Sequence, residues 1–348
     1  MDSYMSKKIN YFALNYTPKE EAISKEIELL IENFEDSNLI EISSKDYKPK
    51  LSKNHLKLHF SFLPIFINLI KRKNKEANLS HIYTSLGDKI FLRILNKRPI
   101  ILTAGASSSL EKIKKQSKHY KKLDKIIVGN KYEKDILVNL NIPESKIAIV
   151  KPGIDLSKFE YKKEKEFTIL FATSPPDKKW FEKRGIFLLL DAAKELPEIK
   201  FLLLWRKKGY NLLKQEIEKR KLTNIEVINK IVKDPKEIYS KASCTIIPFT
   251  EQSTSNKIIP LSALESLASG KPILISTKVG IKEIVIDEKS GVVFIPKKDK
   301  LIKAITELRG SYELYQKNAR KTAEKHFSKE KFIGEYKKLY NEIIGRYN

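Results

Sequence analysis

The chain has 348 residues, of which 41% are apolar, and this favours two packed domains and argues against a disordered chain. Its 68 Lys and Arg residues against 43 Asp and Glu give a net charge of +25, which favours anionic partners, although a lysine-rich proteome would give the same excess. The single cysteine, Cys244, excludes a disulfide framework and a cysteine-based zinc site.

The first half of the chain alternates apolar runs with amphipathic stretches, which predicts strands connected by helices. Its first strand and helix lack the glycine-rich turn of a dinucleotide site. Residues 45–59 are rich in lysine and are expected to be irregular. Strands are predicted at Ile9 to Leu14, Asn38 to Ser43, Ser80 to Ser85, Arg98 to Gly105, Asp124 to Asn130 and from Ile147. Helices are predicted at Glu20 to Phe34, Phe60 to Lys75, Phe91 to Lys97 and Tyr132 to Ile142.

Two segments of the first half bear on membranes. The run from Glu111 to Lys125 carries seven lysines against two acids. This is typical of a solvated helix face, and it also fits a surface that meets anionic lipid or a phosphorylated acceptor. The longest apolar run, Phe60 to Ile70, is interrupted by Ser61, Pro64 and Asn68 and is about half of the ~20 residues that a membrane span requires. We therefore expect a soluble or peripheral protein.

The charged run at residues 160–166 is typical of a linker, and the strand and helix pattern restarts after it. Both halves are therefore predicted to be doubly wound, Rossmann-like α/β domains that face a cleft. The predicted division is 1–158, 159–330 and a C-terminal helix at 331–348. Strands are predicted at 167–173, 200–205, 224–229, 245–247, 272–277 and 291–296, and helices at 186–196, 211–221, 233–242, 256–270, 301–308 and 312–347.

The stretch from Thr245 to Thr277 runs strand, polar loop, helix, glycine, strand, which is the pattern of a βαβ unit in a parallel sheet. Gly270 suits the C-terminal cap of its helix. The polar loop lies where open α/β sheets bind ligands, beyond the carboxyl ends of the strands. Glu265 stands inside the helix, between Leu264 and Leu267. Such an acid is either a surface glutamate of the helix or a ligand-binding group.

This stretch resembles the donor-binding signature of GT-B glycosyltransferases of the family-4, group 1 type, which are retaining enzymes that use sugar nucleotides. The positions that match in order are Pro248, Pro260, Leu261, Leu264, Glu265, Ala268, Gly270, Lys271 and Pro272. A second match, to the passage between the two domains of that family, rests on Pro152, Gly153, Asp155 and Phe159. The resemblance covers about residues 124 to 296, and the N-terminal domain resembles the family only in architecture.

The resemblance implies roles for several residues. Glu265 would accept hydrogen bonds from the donor's ribose hydroxyls, and backbone amides at the start of its helix would face the diphosphate. Arg184, before Gly185, would neutralise the departing diphosphate. The C-terminal helix would pack back on the first domain. Further donor-binding roles fall on Ser174, Arg206, Ile231, Ile258, Ile259 and Leu261, in loops after the strands or at the start of the helix.

Three positions depart from the family pattern. The family's first glutamate, eight positions before the second, falls on Lys257, which joins Arg184 as a catalytic candidate. Glu251 is nearby but outside the register. Trp205-Arg206 replaces a glycine turn. The acceptor-side histidine is missing where the chain reads Thr103-Ala104-Gly105, so His81 and Gly105 are the acceptor-side candidates that remain.

The sequence thus predicts transfer of a sugar from a nucleoside diphosphate sugar to a hydroxyl of a polysaccharide, glycan or lipid-linked acceptor, with retention. It contains no Asp-x-Asp motif, so no metal and no cofactor is expected. We expect a role in the biosynthesis of cell envelope glycans and a cytoplasmic protein, peripheral on the cytoplasmic face of the membrane. A catalytically silent homologue that acts as a binding subunit is an alternative because of Lys257 and Ala104. A basic nucleic-acid-binding protein is a second alternative, but no recognition motif supports it.

Overall fold

The computed structural model describes residues 7–14, 16, 22–43, 50–52, 54–107, 109–232, 234, 236–251 and 259–347. They fall into two compact units. The first lies within Met1–Gly153 and Lys329–Asn348, and the second within Ile154–Ser253 and Ile258–Ser328. Each unit contains one sheet with helices on both of its faces, which confirms the predicted pair of Rossmann-like α/β domains.

Strands and helices alternate along most of the chain. The strands are β1 (Ile9–Leu14), β2 (Ser37–Ser43), β3 (Lys50–Ser52), β4 (His55–His59), β5 (Leu79–Leu86), β6 (Ile100–Ser107), β7 (Lys125–Val128), β8 (Ile147–Ile149), β9 (Thr168–Phe171), β10 (Lys200–Trp205), β11 (Ile225–Asn229), β12 (Cys244–Ile247), β13 (Ile273–Ser276) and β14 (Gly291–Phe294). The helices are α1 (Ala22–Asn33), α2 (Leu63–Glu76), α3 (Ile90–Ile94), α4 (Leu110–Tyr120), α5 (Lys131–Asn139), α6 (Lys178–Lys183), α7 (Ile186–Glu195), α8 (Tyr210–Lys219), α9 (Lys236–Tyr239), α10 (Leu261–Ala268), α11 (Lys282–Asp287), α12 (Lys298–Gly310), α13 (Tyr312–Phe327) and α14 (Lys329–Gly345).

The first unit has an eight-stranded sheet in the order β3-β4-β2-β1-β5-β6-β7-β8. All neighbours pair in parallel except β3 with β4. Because alternate side chains of a strand point to opposite faces, Phe12 packs under α2 to α5, while Tyr11 packs under α1 and α14. The C-terminal helix α14 thus belongs to the core of the first unit.

The second unit has a six-stranded, all-parallel sheet in the order β11-β10-β9-β12-β13-β14. The helix α10 ends as its sequence predicts. Gly270 adopts a left-handed φ of 68°, its N–H bonds to the Leu267 carbonyl, and the Lys271 N–H bonds to the Ser266 carbonyl at 2.9 Å. This pair of bonds is the Schellman arrangement, which satisfies carbonyls at the end of a helix.

Several sequence expectations were wrong. Residues 50–52 and 55–59, within a segment expected to be irregular, form β3 and β4. In β4 the polar residues His55, Lys57 and His59 alternate with the apolar Leu56 and Leu58, which is the period of a strand. The helices α6 and α11 were not predicted, and the helix expected over 312–347 is interrupted at Ser328. In the part of the chain that the structure describes, no helix has the length and apolarity to cross a membrane.

Candidate functional site

The predicted donor residues of the second unit lie after parallel strands, so the loops that carry them meet at one edge of the sheet. Ser174 follows β9, Arg206 follows β10, and Ile231 follows β11. Arg184 ends α6, and Leu261 begins α10. Two predicted residues, Lys257 and Ile258, lie outside the described residues.

The Glu265 side chain is buried in α10, between the fully buried Leu264 and Leu267. The hydroxyl of Tyr239, at the end of α9, donates a hydrogen bond of 2.9 Å to Glu265 Oε2. Burial, and then the nearby Glu265 carboxylate, raise the pKa of Tyr239 well above its ordinary value. Tyr239 is therefore a permanent donor, and it fixes the orientation of the carboxylate. The sequence analysis missed Tyr239 because nothing in its spacing marks it as a partner of a residue 26 positions away.

The end of α6 is tied to the loop that follows β12. The Thr250 N–H bonds to the Lys183 carbonyl at 3.1 Å, and Thr250 Oγ1 donates to the Glu182 carbonyl at 2.7 Å. Lys183 Nζ forms an ion pair of 2.8 Å with Glu251. These contacts place Glu251, which the sequence left outside the family register, beside the residue that precedes Arg184.

Arg184 itself lies over aromatic rings. Its guanidinium carbon is 4.3 Å from the centroid of Phe249 and 5.7 Å from that of Trp180, distances at which a cation is attracted to a ring face. Gly185 follows with a left-handed φ of 70°, and a Cβ at that position would stand 1.9 Å from the Pro248 carbonyl oxygen. The glycine thus permits the close approach that brings Arg184 to the end of β12.

The turns after β9 and β10 pack on each other. Gly209 has a φ of 72°, and a Cβ there would lie 2.3 Å from the Pro175 carbonyl oxygen. Ser174, in the same turn, has a buried Oγ that finds no hydrogen-bond partner among the described residues. A buried hydroxyl without a partner is costly, so this oxygen is available to a ligand hydroxyl or phosphate.

The turn that replaces the family's glycine turn is built around Trp205, which is fully buried and donates from Nε1 to the Lys208 carbonyl at 2.7 Å. Lys207 takes the left-handed φ of 61° that a glycine would adopt easily, and its N–H bonds to Asn229 Oδ1 at 2.9 Å. Arg206 is exposed at the tip of this turn.

The remaining donor candidates differ in what they can offer. Ile231 follows β11 and is 58% exposed, so it offers an apolar surface. Ile259 is buried in the core beside α10, so only its backbone can reach a ligand. Leu261 is half-buried at the first position of α10. Lys271, matched in the family signature, is fully buried and ion-paired with Glu164, and burial lowers its pKa.

The acceptor-side prediction for His81 is corrected by its surroundings. His81 is completely buried, with Nδ1 2.7 Å from the Tyr340 hydroxyl and Nε2 2.7 Å from Thr103 Oγ1. Burial lowers the pKa of His81 to about 3. Both ring nitrogens are engaged, so His81 is a packed core histidine of the first unit.

The predicted acceptor-side residue Gly105 also has a packing role. A Cβ there would lie 2.6 Å from the Ile23 side chain. Its missing side chain therefore lets α1 pack closely on the sheet. Among the described residues, no group of three or more His, Cys, Asp or Glu side chains could hold a metal ion.

Comparison with known proteins places these features in context. Residues 155–326 match the family model described as glycosyl transferases group 1, which supports the group 1 part of the predicted resemblance. An uncharacterized glycosyltransferase of Methanocaldococcus jannaschii is 26% identical over 225 residues. That alignment covers 63% of this chain and 60% of the relative, so the chain spans about three fifths of the length of that relative.

Two solved structures share the fold over nearly the whole chain. Sucrose-phosphate synthase from Thermosynechococcus elongatus has a TM-score of 0.80 at 15% identity and covers 98% of this chain and 100% of its own. The Anabaena protein HepE, in complex with UDP, has a TM-score of 0.78 at 12% identity and covers 96% of this chain and 100% of its own. The two Rossmann-like domains therefore form the GT-B fold of glycosyltransferases.

Proposed function

We propose that this chain is a glycosyltransferase of the family-4 type, which moves a sugar from a nucleoside diphosphate sugar to a hydroxyl acceptor with retention of configuration. One observation carries the proposal. Within the segment that matches the group 1 family, Glu265 is buried at the ligand edge of the sheet and oriented by Tyr239. HepE, which has the same fold, is known in complex with UDP-glucose.

The donor would bind along the carboxyl edge of the second sheet. The Glu265 carboxylate suits the vicinal diol of a ribose, because it is an acceptor-only group. The backbone amides around Ile259 and Leu261, at the start of α10, would face the diphosphate. Ser174 Oγ would donate to the phosphate or sugar, and Ile231 would lie against the base.

The reaction needs charge neutralisation where the diphosphate leaves. The bond between the anomeric carbon and the phosphate oxygen breaks, and a bond to the acceptor oxygen forms on the same face. The acceptor proton moves to the departing phosphate oxygen, so no protein nucleophile is required. Arg184, with Lys257 and the amides of α10, would stabilise the developing negative charge without a metal ion.

The acceptor is proposed to be a glycan or lipid-linked molecule at an anionic membrane surface on the cytoplasmic side. Large apolar side chains are exposed where α2 begins: Phe60 is 48% exposed, Phe62 46% and Ile65 74%. The last turn of this helix carries Lys73 and Lys75. Exposed apolar groups and basic residues on one helix are a combination that favours binding to anionic bilayers.

The membrane proposal has its own test. Sedimentation with vesicles that contain an anionic lipid should bind the wild-type chain, and the triple substitution Phe60→Ser, Phe62→Ser, Ile65→Ser should reduce the bound fraction. Replacement of exposed lysines of α4 by glutamine tests the electrostatic part. If both variants bind the vesicles as well as the wild type does, these segments are ordinary solvent-exposed surface.

Donor binding is tested by a thermal-shift screen against UDP-, GDP-, ADP- and dTDP-sugars. A ligand that binds only the folded state raises the melting temperature, and one nucleotide class should do so. The alternative, a catalytically silent binding subunit, is favoured by Lys257, where the family has a glutamate. Donor binding without hydrolysis or transfer to any acceptor would support that alternative.

A further inference from the structure

The position of Arg184 is set by contacts that the proposed reaction does not itself require. Its guanidinium lies 4.3 Å from the Phe249 ring and 5.7 Å from the Trp180 ring. Phe249 is 4% exposed and follows the end of β12, whereas Trp180 belongs to α6. The two rings come from different elements, so the arginine stands where those elements meet.

Hydrogen bonds at Phe249 and at the next residue, Thr250, fix this part of the backbone. Ser276 Oγ, at the end of β13, donates a hydrogen bond of 2.6 Å to the Phe249 carbonyl. On the other side, Thr250 bonds to the carbonyls of Glu182 and Lys183. The Phe249 backbone is therefore fixed to the sheet, and the bonds of Thr250 hold the end of α6 beside it.

A guanidinium that lies on an aromatic face keeps its hydrogen-bonding capacity. Its N–H groups point outward in the plane of the guanidinium, while the ring interacts with its face. Contact with the rings also restricts the side-chain rotation that a free arginine would lose on binding phosphate. A lysine ammonium is also attracted to an aromatic ring, but it has no planar fork of N–H groups for the ring to orient, so this environment suits arginine at position 184.

We infer that Phe249 is a positioning residue, which holds the Arg184 guanidinium in the orientation that receives the donor's diphosphate, with Trp180 in a lesser supporting role. This inference rests on the proposed function. It also gives a reason why position 184 of this chain is an arginine. Phe249 touches neither donor nor acceptor in this account, and its effect passes through Arg184.

The test is a double-substitution cycle with Phe249→Leu and Arg184→Gln, which removes the cation. Leucine keeps an apolar side chain in the core but removes the aromatic face. With the wild-type arginine, Phe249→Leu should weaken affinity for the nucleoside diphosphate between about 2-fold and 30-fold, which is the range for a cation–π contact. Affinity for the corresponding nucleoside, which lacks the phosphates, should not change.

In the Arg184→Gln background, Phe249→Leu should change diphosphate affinity less than 2-fold, because the cation on which the ring acts is gone. Trp180→Leu is the matched control, and its more distant ring should give a smaller effect than Phe249→Leu. Equal losses in both backgrounds, or an equal loss of nucleoside affinity, would show that Phe249 acts only through packing and would overturn the inference. A wild-type chain that binds no nucleoside diphosphate would instead contradict the proposed function.

Discussion

Both units bury an ionisable side chain against a tyrosine hydroxyl, His81 against Tyr340 in the first and Glu265 against Tyr239 in the second. His81 lies on a strand beneath the C-terminal helix, with a partner on each ring nitrogen. Glu265 lies on a helix that begins at the carboxyl edge of its sheet. Burial and a tyrosine partner therefore do not mark a functional residue on their own. The two residues differ in their position relative to the carboxyl edge of the sheet, where open α/β sheets bind ligands.

The two units are expected to differ most in the unfolding free energy that they lose when one glycine in each is replaced by alanine. Gly185→Ala forces a left-handed φ on alanine and drives its Cβ into the Pro248 carbonyl, so it should cost about 3 kcal/mol or more of unfolding free energy. Gly105→Ala meets the Ile23 side chain, which can rotate, and should cost about 1–2 kcal/mol.

Tryptophan fluorescence reports the second unit selectively, because the chain's two tryptophans, Trp180 and Trp205, both belong to it. During urea unfolding, Gly185→Ala should move the fluorescence transition and Gly105→Ala should leave it nearly unchanged. A larger fluorescence shift for Gly105→Ala would contradict the assignment of these contacts.

The pH dependence of stability tests whether His81 of the first unit is buried as a neutral group. His81 has a folded-state pKa of about 3, and an unfolded histidine titrates near 6.5, so the unfolded chain binds the extra proton between these values. Stability should therefore fall as pH is lowered from 6.5, by up to about 1.4 kcal/mol per pH unit from this group.

The matched variant His81→Gln keeps a donor and an acceptor but does not titrate. Its unfolding free energy, followed by circular dichroism in urea, should depend less steeply on pH between 6 and 4 than that of the wild type. Parallel profiles would mean that His81 is not buried as a neutral group.

Substitution of the two tyrosine partners is expected to have the smallest effects. Both substitutions should lower stability, but only one should also lower nucleotide affinity. Tyr340→Phe and Tyr239→Phe each remove a buried hydroxyl together with its hydrogen bonds and should each cost about 1–2 kcal/mol of stability. Only Tyr239→Phe should also weaken nucleoside diphosphate binding, because it releases the orientation of Glu265. Calorimetric titration of both variants with the same nucleotide measures this, and equal affinities would remove Tyr239 from the site.

The sequence predicted much of the fold because the buried parallel strands are apolar runs that end at turns. It also placed Glu265 on a helix after the right strand, because the residues around it are contiguous in the signature. The partners Tyr239 and Phe249 could not be predicted, since they contact residues 26 and 65 positions away only after the sheet forms. His81 was misassigned for the same reason, because the helix that covers it is 259 residues distant.

The central claim is that Glu265, and not the equally buried His81, serves the donor. Isothermal titration of the wild type, Glu265→Gln and His81→Gln with the nucleoside diphosphate found in the screen tests it most directly. We expect Glu265→Gln to weaken binding about 100-fold, since charge-assisted hydrogen bonds to the ribose are lost, and His81→Gln to bind as the wild type does. Unchanged affinity in folded Glu265→Gln would contradict the account.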